Sequence, residues 1–170
     1  KRYWDVSFAA DHQDRGPFES ELIERMREAV EIRMIAEVPL GAFLSGGVDS
    51  SAVVSAMSEV SSSPVKTCSI GFDDPKFDEA AYARQVAAHC GTDHTERMVD
   101  PDDFGLLDTL AELYDEPYAD SSAIPTYRVC QLAREQVTVA LSGDGGDENF
   151  AGYRRYRWHL HEERMRGLVP

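Results

Sequence analysis

The chain has 170 residues and a mass of 19.0 kDa, the size of one ordinary domain. With 42% hydrophobic and 28% charged residues it is expected to fold around a buried core, which excludes collagen-like, low-complexity and largely disordered chains, and no apolar run approaches the roughly 20 residues that span a bilayer. Seventeen Lys and Arg against 31 Asp and Glu leave a net charge of −14, an acidic surface that repels a phosphate backbone and argues against a general nucleic-acid binder.

Residues 1–17 are polar and aromatic without periodicity and predict a linker or edge segment. The opening Lys1-Arg2-Tyr3-Trp4-Asp5 has no signal-peptide apolar stretch, and the scattered Cys68, Cys90 and Cys130 form no CxxC pair. Both features lead to the expectation of a cytoplasmic protein whose thiols are small buried hydrophobes. From Phe18 to Glu37 apolar residues recur at spacings of three and four, an amphipathic helix that Pro39 ends. Leu40–Leu44 predicts a buried strand, running through Ser45-Gly46-Gly47-Val48-Asp49-Ser50-Ser51 into a helix from Ala52 to about Val60.

Ser61–Pro64 is a turn, Val65–Phe72 a strand and 73–76 a loop. Asp78 is placed to cap a helix over Glu79–His89, which Gly91 stops. A strand follows at His94–Val99, then a helix at Asp102–Leu113, a loop at 116–122 and a helix at Ala123–Gln136. Val137–Leu141 reads as a buried strand, followed by a second glycine-rich loop over Ser142–Asn149 and a basic, aromatic segment through Arg166. Strands alternating with helices predict an α/β fold, a doubly wound parallel sheet with helices on both faces, forming one domain over 18–170. Both glycine-rich loops follow strands, so both leave the carboxyl edge of the sheet, where such folds bind ligands.

Two successive glycines after a strand let backbone amides converge on an anion, and Ser50 and Ser51 at a helix start add hydroxyl donors to the helix's positive end. Asp49 would repel phosphate unless a divalent cation lay between them, which makes Mg2+ the natural bridge. The pattern lacks the Gly-Lys-Ser/Thr of a Walker A loop and does not match GxGxxG. In the second loop, Ser142-Gly143-Asp144-Gly145-Gly146-Asp147-Glu148 sets three acidic residues among three glycines. Asp147 facing Asp49 could bracket one Mg2+ on a pyrophosphate.

The first loop resembles the pyrophosphate-binding PP-loop of the ATP pyrophosphatases, which have an adenine nucleotide alpha hydrolase-like fold and cleave ATP between its α and β phosphates. Together with Ser69-Ile70-Gly71-Phe72, Phe77-Asp78-Glu79 and Gly152-Tyr153, the two loops resemble the synthetase domain of the glutamine-hydrolysing asparagine synthetase family over nearly the whole chain. That resemblance implies an ATP-dependent amide ligase: a carboxylate, aspartate in the family, is adenylated, pyrophosphate leaves, and glutamine-derived ammonia displaces AMP. It implies that Ser45, Gly46, Gly47, Asp49, Ser50 and Ser51 hold the pyrophosphate, that the backbone of Phe43 or Leu44 and of Ile70 holds adenine, and that Ser142 and Gly143 contact the nucleotide. Asp49 and Asp147 match Mg2+ ligands, and these two with Asp144 form the catalytic set. Asp144 stands where the family commonly has Glu at a position tied to acyl-adenylate formation, so the acceptor could be another carboxylate, such as a sugar acid of surface polysaccharides. A nucleotide-binding module without chemistry is the alternative from another class, and a homodimer is left open.

The family's glutaminase domain carries an N-terminal cysteine, and its synthetase domain uses a lysine further along. This chain begins at Lys1 and has no lysine after Tyr156. A fragment of a longer polypeptide, truncated at both ends and weakly active or inactive alone, is therefore expected. His89 and His94 read as helix-end or surface histidines; His12, His159 and His161 are too dispersed for a metal site. Asp78-Glu79 either caps a helix or faces the nucleotide. Asp115-Glu116 and Asp120-Ser121-Ser122 either line an acceptor pocket or make an Asx/Ser turn. Arg154, Arg155 and Arg157, interleaved with Tyr153, Tyr156 and Trp158, predict a helix that docks on other parts of the parent protein rather than on RNA.

Overall fold

The computed structural model describes residues 18–73, 79–100, 103–118 and 120–167. The linker reading of 1–17, the cap at Asp78 and the helix start at Asp102 lie outside the described residues. Four strands, β1 (Leu40–Phe43), β2 (Lys66–Phe72), β3 (Asp93–Val99) and β4 (Val139–Leu141), form one parallel sheet in the order β3-β2-β1-β4. The helices are α1 (Phe18–Arg33), α2 (Val48–Val60), α3 (Ala80–Cys90), α4 (Leu107–Leu113) after a 3-10 turn at Phe104–Leu106, α5 (Ala123–Arg134), α6 (Gly146–Phe150) and α7 (Arg154–Arg166).

The register places Ala42 beside Thr67 and Phe43 beside Cys68, so alternate residues face opposite sides of the sheet. On one side Ala42 and Leu44 pack with Val54, Ala56 and Met57 of α2, Ala83 and Ala87 of α3, and Val30 of α1. On the other side Cys68 packs with Leu132 and Ala133 of α5 and with Val137, with Phe43 and Ala140 against them. The expected doubly wound sheet, with helices on both faces, is the architecture found. Gly41 is the tight point beside β2, because a Cβ there would lie 2.5 Å from the Lys66 carbonyl oxygen.

Several boundaries differ from the sequence reading. Helix α1 stops at Arg33, short of Glu37, and the chain turns at Met34 and bends at Glu37–Val38 before Pro39. The Pro39 carbonyl instead accepts the amides of Thr138 (2.8 Å) and Val139 (3.3 Å), which ties the entry of β1 to β4. The amphipathic stripe of α1 is used in part: Val30 is buried, while Phe18, Leu22, Ile23, Ile32 and Ile35 are exposed. β4 is three residues long and half-exposed, not the buried five-residue strand expected. It is an edge strand among the described residues, and Val137, the one deeply buried residue of that run, belongs to the turn that leads into it.

Helix α2 begins at Val48, four residues before the predicted start, so Asp49, Ser50 and Ser51 lie in its first turn. Gly91 closes α3 with φ 63°, the left-handed stop the sequence predicts. Part of the second glycine-rich loop is the short helix α6, which carries Asp147 and Glu148. The basic aromatic segment is helix α7, none of whose residues is buried.

Candidate active site

From β1 the chain winds outward through β2 to β3, then returns to place β4 on the other flank of β1. The order reverses between β1 and β4, and a parallel sheet leaves a crevice beyond its carboxyl edge at such a switch point. Phe43 of β1 and Leu141 of β4 lead directly into the two glycine-rich loops, which therefore flank that crevice. The crevice is an open cleft of about 1010 Å3.

The first loop is held by its own serines. Ser45 Oγ and Ser50 Oγ are 2.9 Å apart, the Ser45 amide donates to Ser50 Oγ (3.2 Å), and the Gly47 amide donates to Ser45 Oγ (3.2 Å). Ser51 Oγ donates to the Gly47 carbonyl at 2.6 Å, and Ser50 Oγ approaches the same carbonyl at 3.3 Å. Gly46, at φ 83°, packs so closely on the start of α3 that a Cβ would lie 2.6 Å from the Ala83 nitrogen. Gly46 and Ser51 thus serve the loop's own framework. Ser45, Gly47, Asp49 and Ser50 line the cleft, as do Phe43, Leu44 and Ile70, although the Leu44 side chain itself is buried in the core. The amides of Val48, Asp49 and Ser50, in the first turn of a 13-residue helix, have no carbonyl behind them within the helix.

The second loop lies directly on that helix start. A Cβ at Gly143 would come within 2.6 Å of the Ser50 nitrogen and 2.8 Å of the Asp49 carbonyl carbon, and a Cβ at Gly146 would overlap the Asp49 carboxylate. Only glycine permits this approach. Gly145, at φ 91°, turns the chain into α6, and Asn149 reaches back to donate to its carbonyl at 2.6 Å. Ser142 Oγ donates to Asp144 Oδ2 (2.9 Å), so the exposed Asp144 carboxylate is oriented from within its own loop. Asp49 and Asp147, predicted to face each other, line one cleft, with the Asp49 carboxylate against the residue that precedes Asp147.

Sequence reasoning missed part of the cleft wall. Pro125, Thr126 and Val129 of α5 line it together with the loops, as do Phe150 and Tyr153. These contacts join α5 to strands far away in sequence, and no local pattern marks them. Tyr153 Oη donates to Glu148 Oε1 at 2.6 Å, which holds the Glu148 carboxyl below its ordinary range and raises the phenol. Glu79, the residue before α3, makes no side-chain cap and lines the cleft, which favours the second of the two roles open to it. Among the described residues the lining includes five carboxylates (Asp49, Glu79, Asp144, Asp147 and Glu148) and no lysine, arginine or histidine.

His94 is not at the surface. It is half-buried on the sheet, with Nδ1 2.9 Å from Thr67 Oγ1 and Nε2 3.2 Å from Ser69 Oγ, and Thr67 Oγ1 also meets Thr92 Oγ1 at 2.9 Å. Burial holds this imidazole below its ordinary pKa, against the raising influence of Glu96. His89 is exposed in the last turn of α3, as expected. Cys68 is buried beside the cleft with its thiol pushed up by desolvation, whereas Cys130 is exposed, contrary to the buried reading of the thiols. Asp120 accepts the Ser122 amide at 2.8 Å, an Asx turn. With Asp115, Glu116 and Ser121 it also borders a second hollow, of about 870 Å3, under the stacked rings of Tyr114 and Tyr118, 4.3 Å apart.

No three Asp, Glu, His or Cys side chains converge on a common metal position among the described residues. Two carboxylates on neighbouring loops suit a Mg2+ that takes its remaining ligands from phosphate oxygens and water, the usual way this ion is held beside a nucleotide. No described helix is long and apolar enough to cross a membrane.

The family model for asparagine synthase matches residues 21–170. A Methanocaldococcus jannaschii protein that carries an asparagine synthetase (glutamine-hydrolyzing) name is 44% identical over 165 residues, which cover 96% of this chain and 31% of that protein. Asparagine synthetase (glutamine-hydrolyzing) 1 of Bacillus subtilis is 37% identical over 158 residues, covering 92% of this chain and 25% of its own length. The chain thus spans a quarter to a third of the curated relatives it matches. In backbone it is similar to the NMN synthetase of Francisella tularensis, with a TM-score of 0.55 over 79% of this chain and 58% of that one at 14% identity, a likeness of fold.

Proposed function

The chain belongs to the asparagine synthase family, and from that premise we propose that its cleft binds MgATP and forms the adenylating site of an amide ligase. The observation that carries the reading is the contact of Gly143 with Asp49 and Ser50, which joins the two loops over one helix start at the switch point of the sheet. Residues 18–170 would then be the ATP pyrophosphatase domain of a longer, cytoplasmic enzyme.

The roles follow from chemistry. The unpaired amides of Val48, Asp49 and Ser50 and the Ser45 hydroxyl offer donors to the pyrophosphate end of ATP, at the end of α2 where the helix dipole favours negative charge. Phe43, Ile70, Pro125 and Val129 give the cleft an apolar lining that suits a purine, and Leu44, whose side chain is buried, would meet it through its backbone. Ser142 and Gly143 border the nucleotide between these two regions. Each carboxylate near a phosphate oxygen is unfavourable, by about 4 kcal/mol for a unit pair at 4 Å and an effective dielectric of 20. Mg2+ shared by Asp49, Asp147 and the phosphates would offset that repulsion and draw electrons from the α phosphorus. Catalysis on this scaffold is positioning and charge stabilisation: the acceptor carboxylate attacks the α phosphorus, pyrophosphate leaves, and ammonia then displaces AMP. Asp144, exposed in the cleft lining and held by Ser142, would face the acceptor.

Aspartate as acceptor, and ammonia drawn from glutamine, are proposed from the family. Asp144, one methylene shorter than the glutamate common at that position in the family, leaves a different carboxylate open as the acceptor. Calorimetry tests the nucleotide reading: MgATP should bind this chain more tightly than ATP in EDTA, and Asp147→Asn should abolish the difference. Equal affinity with and without Mg2+, unchanged by that substitution, would point to a nucleotide-binding module. Acceptor-dependent ATP–pyrophosphate exchange by the parent protein, with aspartate set against sugar acids, identifies the acceptor.

A further inference from the structure

The cleft poses a charge problem that its lining leaves unsolved, since five carboxylates surround a space proposed for a polyanion and no basic side chain of the described residues lines it. One guanidinium stands immediately outside. Arg155, in the first turn of α7, lies over the ring of Tyr153 with its Cζ 4.3 Å from the centroid, and Tyr153 lines the cleft while donating to Glu148. Arg155 also acts electrostatically on both groups, lowering the Glu148 carboxyl and opposing the rise of the Tyr153 phenol.

The segment that carries Arg155 is lightly held. Among the described residues α7 buries no side chain, and it joins α6 through Ala151, a non-glycine residue at φ 57°, followed by Gly152. Left-handed backbone at an alanine is strained, and such strain often sits where a chain changes conformation. The same joint is coupled to the candidate metal ligand, because the Gly152 amide donates to the Asp147 carbonyl at 3.0 Å.

We infer that Arg155 is a phosphate-binding residue of this site, which leaves the face of Tyr153 to meet the β and γ phosphates of ATP. The inference rests on the nucleotide reading above and names a residue that reading does not include. A guanidinium pairs with phosphate in a planar, two-pronged contact that a surface cation–π stack cannot match, so bound ATP would draw it inward. Arg154 and Arg157 belong to the same helix but neither stacks on the cleft's rim.

The test compares ATP with AMP, which lacks the two phosphates that Arg155 is to contact. In calorimetry on this chain with Mg2+ present, Arg155→Gln is expected to weaken ATP about tenfold, the size of one charge-assisted contact, and to leave AMP unchanged. Arg155→Lys should recover part of the ATP affinity, and Arg157→Gln should behave as the unmodified chain. Thermal unfolding should move little in any of these, because the substituted side chains are exposed and Arg155 gives up only one surface cation–π contact. An ATP-to-AMP affinity ratio that Arg155→Gln leaves intact, or lowers no more than Arg157→Gln does, overturns the inference while the nucleotide reading stands. An unmodified chain that binds neither nucleotide overturns the nucleotide reading itself.

Discussion

The first loop leaves an interior strand, is knit by the hydroxyls of Ser45, Ser50 and Ser51, and passes into a helix of 13 residues. The second leaves a three-residue edge strand and passes into a helix of five residues that ends on the left-handed Ala151. One loop is built to stay still, with its amides fixed before any ligand arrives, which spares the cost of ordering them on binding. The other carries Asp147 and Glu148 on its short helix and Asp144 in the turn before it, and bonds from Ser142, Asn149 and Tyr153 fasten that segment mainly to itself. Donors fixed on an interior strand and a long helix, set beside acids on an edge strand and a short helix, suit a site that must grip a phosphate chain and also hold cations and an acceptor.

The sharpest way to break this pairing is at the point of contact. Gly143→Val places a branched side chain against the Ser50 amide and the Asp49 backbone, forcing the loops apart. Overpacking of this kind costs about 1–3 kcal/mol, so MgATP affinity should fall about 10- to 100-fold, read by calorimetry with thermal unfolding followed alongside. An affinity that stays within experimental error would mean that the two loops act independently. Next in size is the shared cation. Asp49→Asn and Asp147→Asn are each expected to weaken MgATP about tenfold, and the double variant should be no weaker than the worse single one, since one ion serves both carboxylates. Strict additivity in that cycle would assign the two residues to separate partners.

The difference between the loops also explains what the sequence could disclose. The alternation of apolar strands with helical segments, and the two glycine runs after Leu44 and Leu141, are local patterns, so the fold and most cleft residues of both loops were legible in advance. The exposure of β4 was not, because a short run of Val, Ala and Leu has the same composition at an edge as in an interior. Nor was α6: glycines and acids compose both a loop and a short helix, and the helical bonds from Gly145 to Asn149 decide it. The serines of the first loop were read as lying before a helix when two of them lie inside its first turn, since the same hydroxyls can cap or continue it. The α5 wall of the cleft depends on a crossover that brings Pro125 and Val129 across the sheet, a long-range contact with no sequence marker.

His94 tests the sheet beside the first loop, where β3 meets β2. Its imidazole joins Thr67 to Ser69, a residue of the cleft lining, and burial holds its pKa below the 6.5 of an unfolded histidine. Between the folded and unfolded values the unfolded chain binds more protons, so this group's contribution is full above pH 6.5 and is lost as pH falls through the folded value. Stability measured by urea unfolding should therefore decline below pH 6.5, before the carboxylates titrate, and His94→Gln should flatten that decline. A variant with the same slope as the unmodified chain would show that the histidine is not the group responsible.

The smallest effect belongs to the joint of the second loop. Ala151 holds φ 57° where an L side chain is disfavoured by about 1–2 kcal/mol, and glycine removes that strain while adding about 0.5–1 kcal/mol of chain entropy to be lost on folding. Ala151→Gly is therefore expected to raise stability slightly, by about 0.5–1 kcal/mol in denaturant unfolding. The equivalent change in the first loop, Gly46→Ala, should do the opposite, since there φ is 83° and the start of α3 leaves no room for a methyl group. A gain at 151 with a loss at 46 would mark the second loop as the strained one and the first as the one packed to its final shape. A loss at both would mean that the alanine methyl makes a contact worth more than the strain, and that the second loop is as firmly set as the first.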